Sequence, residues 1–299
     1  MILPEISIVM ATYNRSNILS YSIASVISQT FENWELLVIG DCCTDDSEQV
    51  VSDFRDNRIR FINLPVNFGE QSGPNNEGLK RTRGKYIAFL NHDDLWFNDH
   101  LETGLSTLLK NEADLVFASG IVDHGEEIPL DVIGIVSNRR GYHPSLSFIP
   151  ASNWLFRKEL VQEIGLWRPA RELYLVPSHD WQKRVFNAGK RIVFTKKITV
   201  IALPSSSRKN AYLDRSQAEN EKYFARINDP DFRVQLFSRV IFDFGQFYYH
   251  DEKIYFGRFL RRKIRNLLIY FGWNTIELRF FFKFGKGGLV KKYRKQRGL

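Results

Sequence analysis

The sequence predicts an α/β protein: an open, mostly parallel twisted sheet flanked by helices, followed by a helical, basic C-terminal extension. Three observations carry that expectation. In the first hundred residues short apolar runs rich in branched side chains alternate with segments at helical spacing. Each of the clearest runs gives way to polar residues, as strands of a parallel sheet covered on both faces do at their ligand-binding edge. The positive charge is concentrated at the end of the chain, where residues 251–299 carry a net +11 against −3 for residues 1–250.

The first strand is Ile6-Ser7-Ile8-Val9-Met10, which runs into Thr12-Tyr13-Asn14-Arg15. Ser16 or Asn17 then caps a helix to about Gln29, whose Leu19, Ile23, Val26 and Ile27 share one face. Trp34 to Ile39 forms the second strand, with Asp41 just beyond it. A helix capped by Thr44 or Asp45 reaches about Phe54, and Ile59 to Ile62 is the third strand. Residues 67–75 read as loop, Asn76 to Thr82 as a short helix, and Tyr86 to Leu90 as the fourth strand. This alternation implies parallel strands joined by crossover helices.

With 299 residues and 43% hydrophobic content, the chain can bury one large core or two modest ones. Its opening Met1-Ile2-Leu3-Pro4-Glu5 lacks the basic-then-apolar pattern of a secretion signal. No apolar run approaches the ~20 residues of a membrane-spanning helix. Cys42 and Cys43 are adjacent, which strains a mutual disulfide and leaves a thiolate metal site incomplete, so a reducing, cytoplasmic setting is expected. The acidic balance of residues 1–250 argues against a nucleic-acid-binding core.

The fourth strand leads into Asn91-His92-Asp93-Asp94. Neighbouring carboxylates repel unless solvent or a cation neutralises them, and hard oxygen donors suit Mg²⁺ or Mn²⁺. Such pairs also occur as solvated turns or helix caps. Tyr13, Asp41, Asp93 and Asp94 all fall beyond the carboxyl ends of strands, where ligands of such sheets bind. Neither G-x-G-x-x-G nor G-x-x-x-x-G-K-[ST] occurs. An aromatic, a lone acid and an acidic pair suit a metal-bound nucleoside diphosphate: ring on base, lone acid on a base N–H, metal on the phosphates.

The stretches Ile6 to Arg15, Ser28 to Phe31 with Trp34 to Ile39, Asp41 to Ser47, Asn76-Glu77-Gly78 with Arg83 to Ile87, and Phe89 to Trp96 together resemble the family 2 glycosyltransferases of GT-A fold. The resemblance implies that Thr12, Tyr13 and Asp41 bind the nucleotide, that Asp93 and Asp94 take the ribose and metal roles, and that the metal is Mn²⁺ or Mg²⁺. Three departures stand out. Asn91 replaces the first acid of the metal motif, Gly40 an Asp, and Cys42-Cys43 a Gly-Ser. Further along, Asn153 to Arg157 with Gly165-Leu166-Trp167 resembles the segment lining the acceptor pocket. Ser178-His179-Asp180-Trp181 resembles the catalytic-base motif, with Asp180 as base. The alternative is that Asp180 caps a helix from Trp181 to Asn187.

Between Pro204 and Leu213 the chain is polar and basic, either a lid that brings Arg208 and Lys209 over the diphosphate or an ordinary solvated loop. The expected division is therefore 1–98 for the nucleotide-sugar-binding half, 99–215 for the acceptor-binding half, and 216–299 for a helical, basic, aromatic region. In that last region Ile254, Phe259, Leu260, Ile264, Leu267, Leu268 and Phe271 share a broad helical face among arginines and lysines. Such a face suits the inner surface of an anionic membrane, a homodimer interface or packing on the catalytic domain. The resemblance implies an inverting, metal-dependent transfer from a nucleotide-sugar, UDP favoured, to a hydroxyl of a glycan or lipid-linked acceptor in polysaccharide biosynthesis. A nucleotidyltransferase and a binding-only relative are the alternatives. The first of these lacks its expected Gly-rich basic loop after the first strand.

Overall fold

The computed structural model describes residues 3–125, 128–134, 141–249, 260 and 263–299. Parallel strands β1 (Ile6–Thr12), β2 (Trp34–Gly40), β3 (Ile59–Asn63) and β4 (Tyr86–Phe89) form one side of a nine-stranded sheet. Antiparallel pairing of β4 with β8 (Trp154–Arg157) joins this side to β6 (Leu115–Val122) and β9 (Ile192–Ala202). The short β5 (Leu95–Trp96) pairs with β9, and β7 (Asp131–Ile133) with β6. One sheet thus runs through residues 6–202, in the order β3-β2-β1-β4-β8-β6-β9-β5.

Successive side chains of a strand point to opposite faces, so a strand covered on both sides must be apolar throughout. In β1, Ile6, Ile8 and Met10 join a core with Leu19, Ile23 and Val26 of α1 (Ser16–Ile27) and Leu101, Leu105 and Leu108 of α4 (His100–Lys110). Val9 faces the other way, into a core with Leu79 of α3 (Ser72–Arg81) and Trp181 and Val185 of α6 (Pro177–Asn187). Gly78 lets α3 come close, since a Cβ there would lie 2.4 Å from Val9 Cγ1. The departure at Gly40 has a steric cause as well: a Cβ would lie 2.6 Å from Asn63 Oδ1, which accepts the Cys43 N–H.

Three helix starts differ from the sequence-based expectation; α1 begins at Ser16 itself, with Arg15 in the N-cap position in place of Ser16 or Asn17. Helix α3 begins at Ser72, because Pro74 falls in the first turn, where its missing N–H would have no intrahelical partner in any case. Helix α6 begins at Pro177, so Asp180 lies in the first turn and is not its N-cap. The helix after β2 is also shorter than expected. This α2 (Ser47–Ser52) is entered through Asp45, whose Oδ1 accepts from Ser47 N and Oγ.

Beyond the sheet come α5 (Glu159–Ile164), which precedes α6 in the chain, then α7 (Ala211–Asp214), α8 (Ala218–Phe224) and α9 (Phe232–Tyr249). Residues 263–270 are helical, followed by helices Thr275–Phe284 and Gly288–Arg297. The expected helical character of the extension is therefore observed. Ile254, Arg258, Phe259, Arg261 and Arg262 lie outside the described residues. Among those described, no helix is long and apolar enough to cross a membrane.

Candidate active site

Thr12, Asp41 and the 91–94 turn gather where the parallel strands β1, β2 and β4 end, and Tyr13 follows Thr12 directly. Asp41 is 4% exposed. Its Oδ1 and Oδ2 accept the backbone N–H groups of Phe68 and Gly69 at 2.8 and 2.9 Å, and its carbonyl accepts from the Asn67 amide. Burial pushes its pKa up, partly offset by those two N–H groups and by Arg294. Asp41 thereby shapes the 67–69 loop, and each oxygen keeps a further lone pair for a ligand N–H.

The two neighbouring acids differ. Asp94 is 2% exposed, its Oδ1 accepts Leu203 N at 2.9 Å, and its Oδ2 accepts from Asn91 Nδ2 and Ser152 Oγ. Burial and the adjacent Asp93 push its pKa up to about 7. Asp94 thus relieves the expected carboxylate repulsion by holding its proton more tightly and by bonding to the framework, which sets it apart from Asp93. Asn91 also acquires a purpose. Its amide donates to Asp94, where a third carboxylate would repel.

Asp93 accepts Ser205 N at Oδ2 (2.9 Å), and its Oδ1 takes no hydrogen bond among the described residues. Burial opposes its ionisation, but His92, the Ser205 N–H, Arg297 and Arg15 outweigh burial and hold its pKa below the ordinary range. His92 Nδ1 lies 3.1 Å from the Ala11 carbonyl. A carbonyl only accepts, so the ring proton sits on Nδ1 and Nε2 carries a lone pair, 3.4 Å from the Tyr212 hydroxyl. Burial pushes the His92 pKa down, partly offset by Asp93. Among the described residues no three His, Cys, Asp or Glu side chains cluster as a metal cage. Asp93 Oδ1 is the hard oxygen left open there, and it would suit a Mn²⁺ or Mg²⁺ that takes its remaining ligands from phosphate and water.

Other residues singled out from the sequence are placed differently. Tyr13 lies 6.3 Å, ring to ring, from Tyr212, while the Thr12 hydroxyl is buried without a hydrogen-bond partner. Asp180 accepts from Arg184 Nε at 2.9 Å and lies 3.8 Å from Arg168. No hydrogen bond or ion pair among the described residues joins it to Asp41, Asp93 or Asp94. Arg208 pairs with Glu219 and donates to the Pro204 and Asp123 carbonyls, contacts that brace its own segment. Lys209 is exposed.

Sequence reasoning assigned no role to Arg15, His92, Tyr212, Arg294 or Arg297. Arg15 and His92 stood inside recognised motifs. The two C-terminal arginines carried no signal beyond charge.

The chain belongs to the family described as Glycosyl transferase family 2, whose profile matches residues 7–165. It is 39% identical over 114 residues to the UDP-Glc:alpha-D-GlcNAc-diphosphoundecaprenol beta-1,3-glucosyltransferase WfgD of Escherichia coli, covering 38% of this chain and 45% of that protein. It is 32% identical over 130 residues to the poly(ribitol-phosphate) beta-N-acetylglucosaminyltransferase TarP of Staphylococcus aureus, covering 42% and 39%. The matches thus span less than half of these relatives' length. The fold is that of S. aureus TarS residues 1–349, solved in complex with UDP-GlcNAc (TM-score 0.57, 18% identity, 81% of this chain and 73% of that one). Mannosyltransferase PcManGT of Pyrobaculum calidifontis, solved with GDP-Man and Mn²⁺, is similar over 98% of this chain and 88% of its own (TM-score 0.53, 13% identity). The expected fold, an α/β GT-A sheet with a helical extension, is thereby established.

Proposed function

We propose that the protein is an inverting glycosyltransferase that moves a sugar from a UDP-sugar to a hydroxyl of a glycan or lipid-linked acceptor in cell-envelope polysaccharide synthesis. The observation that carries this reading is the convergence of Tyr13, Asp41 and Asp93 beyond the carboxyl ends of adjacent parallel strands. The kinds of molecule that WfgD and TarP are named for, and the UDP-GlcNAc bound by TarS, support the same choice of donor and acceptor classes.

In this reading Tyr13 stacks on the base and Asp41 accepts a base N–H while it holds the 67–69 loop. Asp93 would hold a Mn²⁺ or Mg²⁺, which would supply positive charge to neutralise the departing diphosphate. The acceptor oxygen forms a bond to the anomeric carbon, the bond from that carbon to the diphosphate oxygen breaks, and Asp180 takes the hydroxyl proton. Arg184 and Arg168 keep the Asp180 carboxylate oriented.

Calorimetry with UDP tests the metal assignment. Affinity should fall at least about tenfold when EDTA replaces Mn²⁺, and Asp93→Ala should lose that metal dependence. Equal affinity in Mn²⁺ and in EDTA would remove the metal from the account.

We infer in addition that the outer face of the extension rests on an anionic membrane surface at the cytoplasmic side. The support is the exposure of Ile264, Leu267, Phe271, Trp273 and Phe282 beside a basic sequence.

A further inference from the structure

The last helix, Gly288–Arg297, does not extend away from the protein. It folds back onto the 67–69 loop and the segment before α7. Asn210 N donates to the Gln296 carbonyl at 2.8 Å, and Gly298 packs so tightly on the neighbouring segment that a Cβ there would lie 2.9 Å from Leu213. Arg294 Nη1 donates to the carbonyl of Gly69, in the loop that Asp41 holds. The helix therefore ties the loop after β3 to the segment before and within α7.

Between those ties Arg297 comes within electrostatic reach of Asp93, His92 and Tyr212. Arg15 reaches the same three groups from the opposite end of the sequence. It is 4% exposed, its guanidinium lies 5.1 Å from the Tyr212 ring centroid, and its Nη1 donates to the Ala211 carbonyl. Yet Arg15 Nε and Arg297 Nε are both buried with no hydrogen-bond partner, as is the Thr12 hydroxyl at the end of β1.

A helix C-terminus favours basic residues on dipole grounds alone, which would account for the charge of Arg297. It does not account for a buried, unpaired Nε–H on Arg15 and another on the half-buried Arg297, each of which costs free energy until an acceptor arrives. Two arginines with buried, unpaired Nε–H donors converge on one turn, and the partner that suits both is an anion with several oxygens.

We propose that Arg297, delivered by the C-terminal helix, and Arg15 form the seat for the donor's diphosphate, so that the donor site is complete only with the chain's own terminus docked. This rests on the nucleotide-sugar reading above and deepens it. Guanidinium groups suit the task because they pair with phosphate oxygens through directed N–H forks and stay charged when buried. The arrangement also supplies positive charge from the protein in a motif where Asn91 has replaced an acid.

The test uses full-length protein and three probes: UDP, inorganic pyrophosphate and uridine. Arg297→Gln should weaken UDP and pyrophosphate binding by about tenfold or more and leave uridine binding unchanged, and Arg297→Lys should recover part of the loss. The UDP-to-uridine affinity ratio within each variant does not depend on how much of the sample is folded. If Arg297→Gln binds UDP as wild type does, the clamp is wrong and the nucleotide-sugar reading stands. If it binds UDP more tightly, the helix is instead a plug that the donor must displace, which also overturns the proposal. If wild-type protein binds neither UDP nor pyrophosphate, both readings fall together.

Discussion

Replacing Asp180 with Asn separates chemistry from structure, because the two effects differ in size. Asp180 and Arg184 are largely buried, with side chains 14% and 17% exposed, and pair at 2.9 Å. In Asp180→Asn the amide oxygen can still accept, and Arg184 keeps the Ile164 and Leu166 carbonyls. The structural cost should therefore stay near about 1–2 kcal/mol, below that of stranding a buried charge. A general base contributes about 10²- to 10⁴-fold, or roughly 3–5 kcal/mol of transition-state stabilisation, and does so on the acceptor side. Initial rates of UDP release with acceptor, donor affinity by calorimetry and a urea melt, measured on one preparation, distinguish these terms. The expected result is a hundredfold or greater loss of kcat (about 10² or more) with donor affinity within about twofold of wild type. Retained kcat, or donor affinity falling in parallel with rate, would remove Asp180 from the base role and leave it as the anchor of Arg184.

Two buried histidines should make the fold sensitive to acid below about pH 6.5. Burial pushes the His100 pKa down to about 3, where the ring stacks 4.1 Å from Trp96, and His179 down to about 4. Both stay neutral when folded but protonate near pH ~6.5 when unfolded, so stability is full above that pH and falls below it by about 1.4 kcal/mol per pH unit per histidine. Asp94, with its raised pKa, contributes the opposite sign, so the test is differential: between pH 6.5 and 4.5 His100→Phe should lower the slope of stability against pH by about 1.4 kcal/mol per unit relative to wild type, read from urea midpoints, and an unchanged slope would contradict the burial argument. Glu35 acts lower. Burial raises its pKa, but bonds from Ser7 and Arg83 outweigh this and hold it below the usual carboxylate value, so its contribution is present above pH ~4.5 and lost only as pH falls through the lowered pKa. For the extension, full-length protein should co-sediment with anionic liposomes, be released by salt and ignore neutral ones. A Leu267→Glu/Phe271→Glu variant should lose that binding while keeping UDP affinity, and equal binding to neutral and anionic vesicles would end the membrane reading.

Much of the sheet could be read from the sequence because buried parallel strands leave an unbroken apolar signal, as Ile6 to Met10 and Tyr86 to Leu90 do. Helix starts were harder. Pro74 looks like a breaker yet is tolerated in a first turn, and Pro177 opens α6 upstream of where Asp180 suggested a cap. The acidic turn was visible as a site, but the difference between its two carboxylates depends on Leu203 and Ser152, which are remote in sequence. The tail illustrates the same limit. Its charge pointed to an external anion, while the fold turns Arg294 onto the Gly69 carbonyl and brings Gln296 to Asn210. Composition gives the amount of charge in a segment but not the face on which it lies.

The central claim is transfer from a UDP-sugar, and it is tested most directly by the product of donor turnover. A panel of UDP-, GDP- and dTDP-sugars incubated with the full-length protein and Mn²⁺ should yield nucleoside diphosphate from a UDP-sugar. That release should rise when acceptor glycan or lipid-linked saccharide is added, and Asp93→Ala should abolish it. Release of nucleoside monophosphate instead, or no turnover of any donor with acceptor present, would contradict the account.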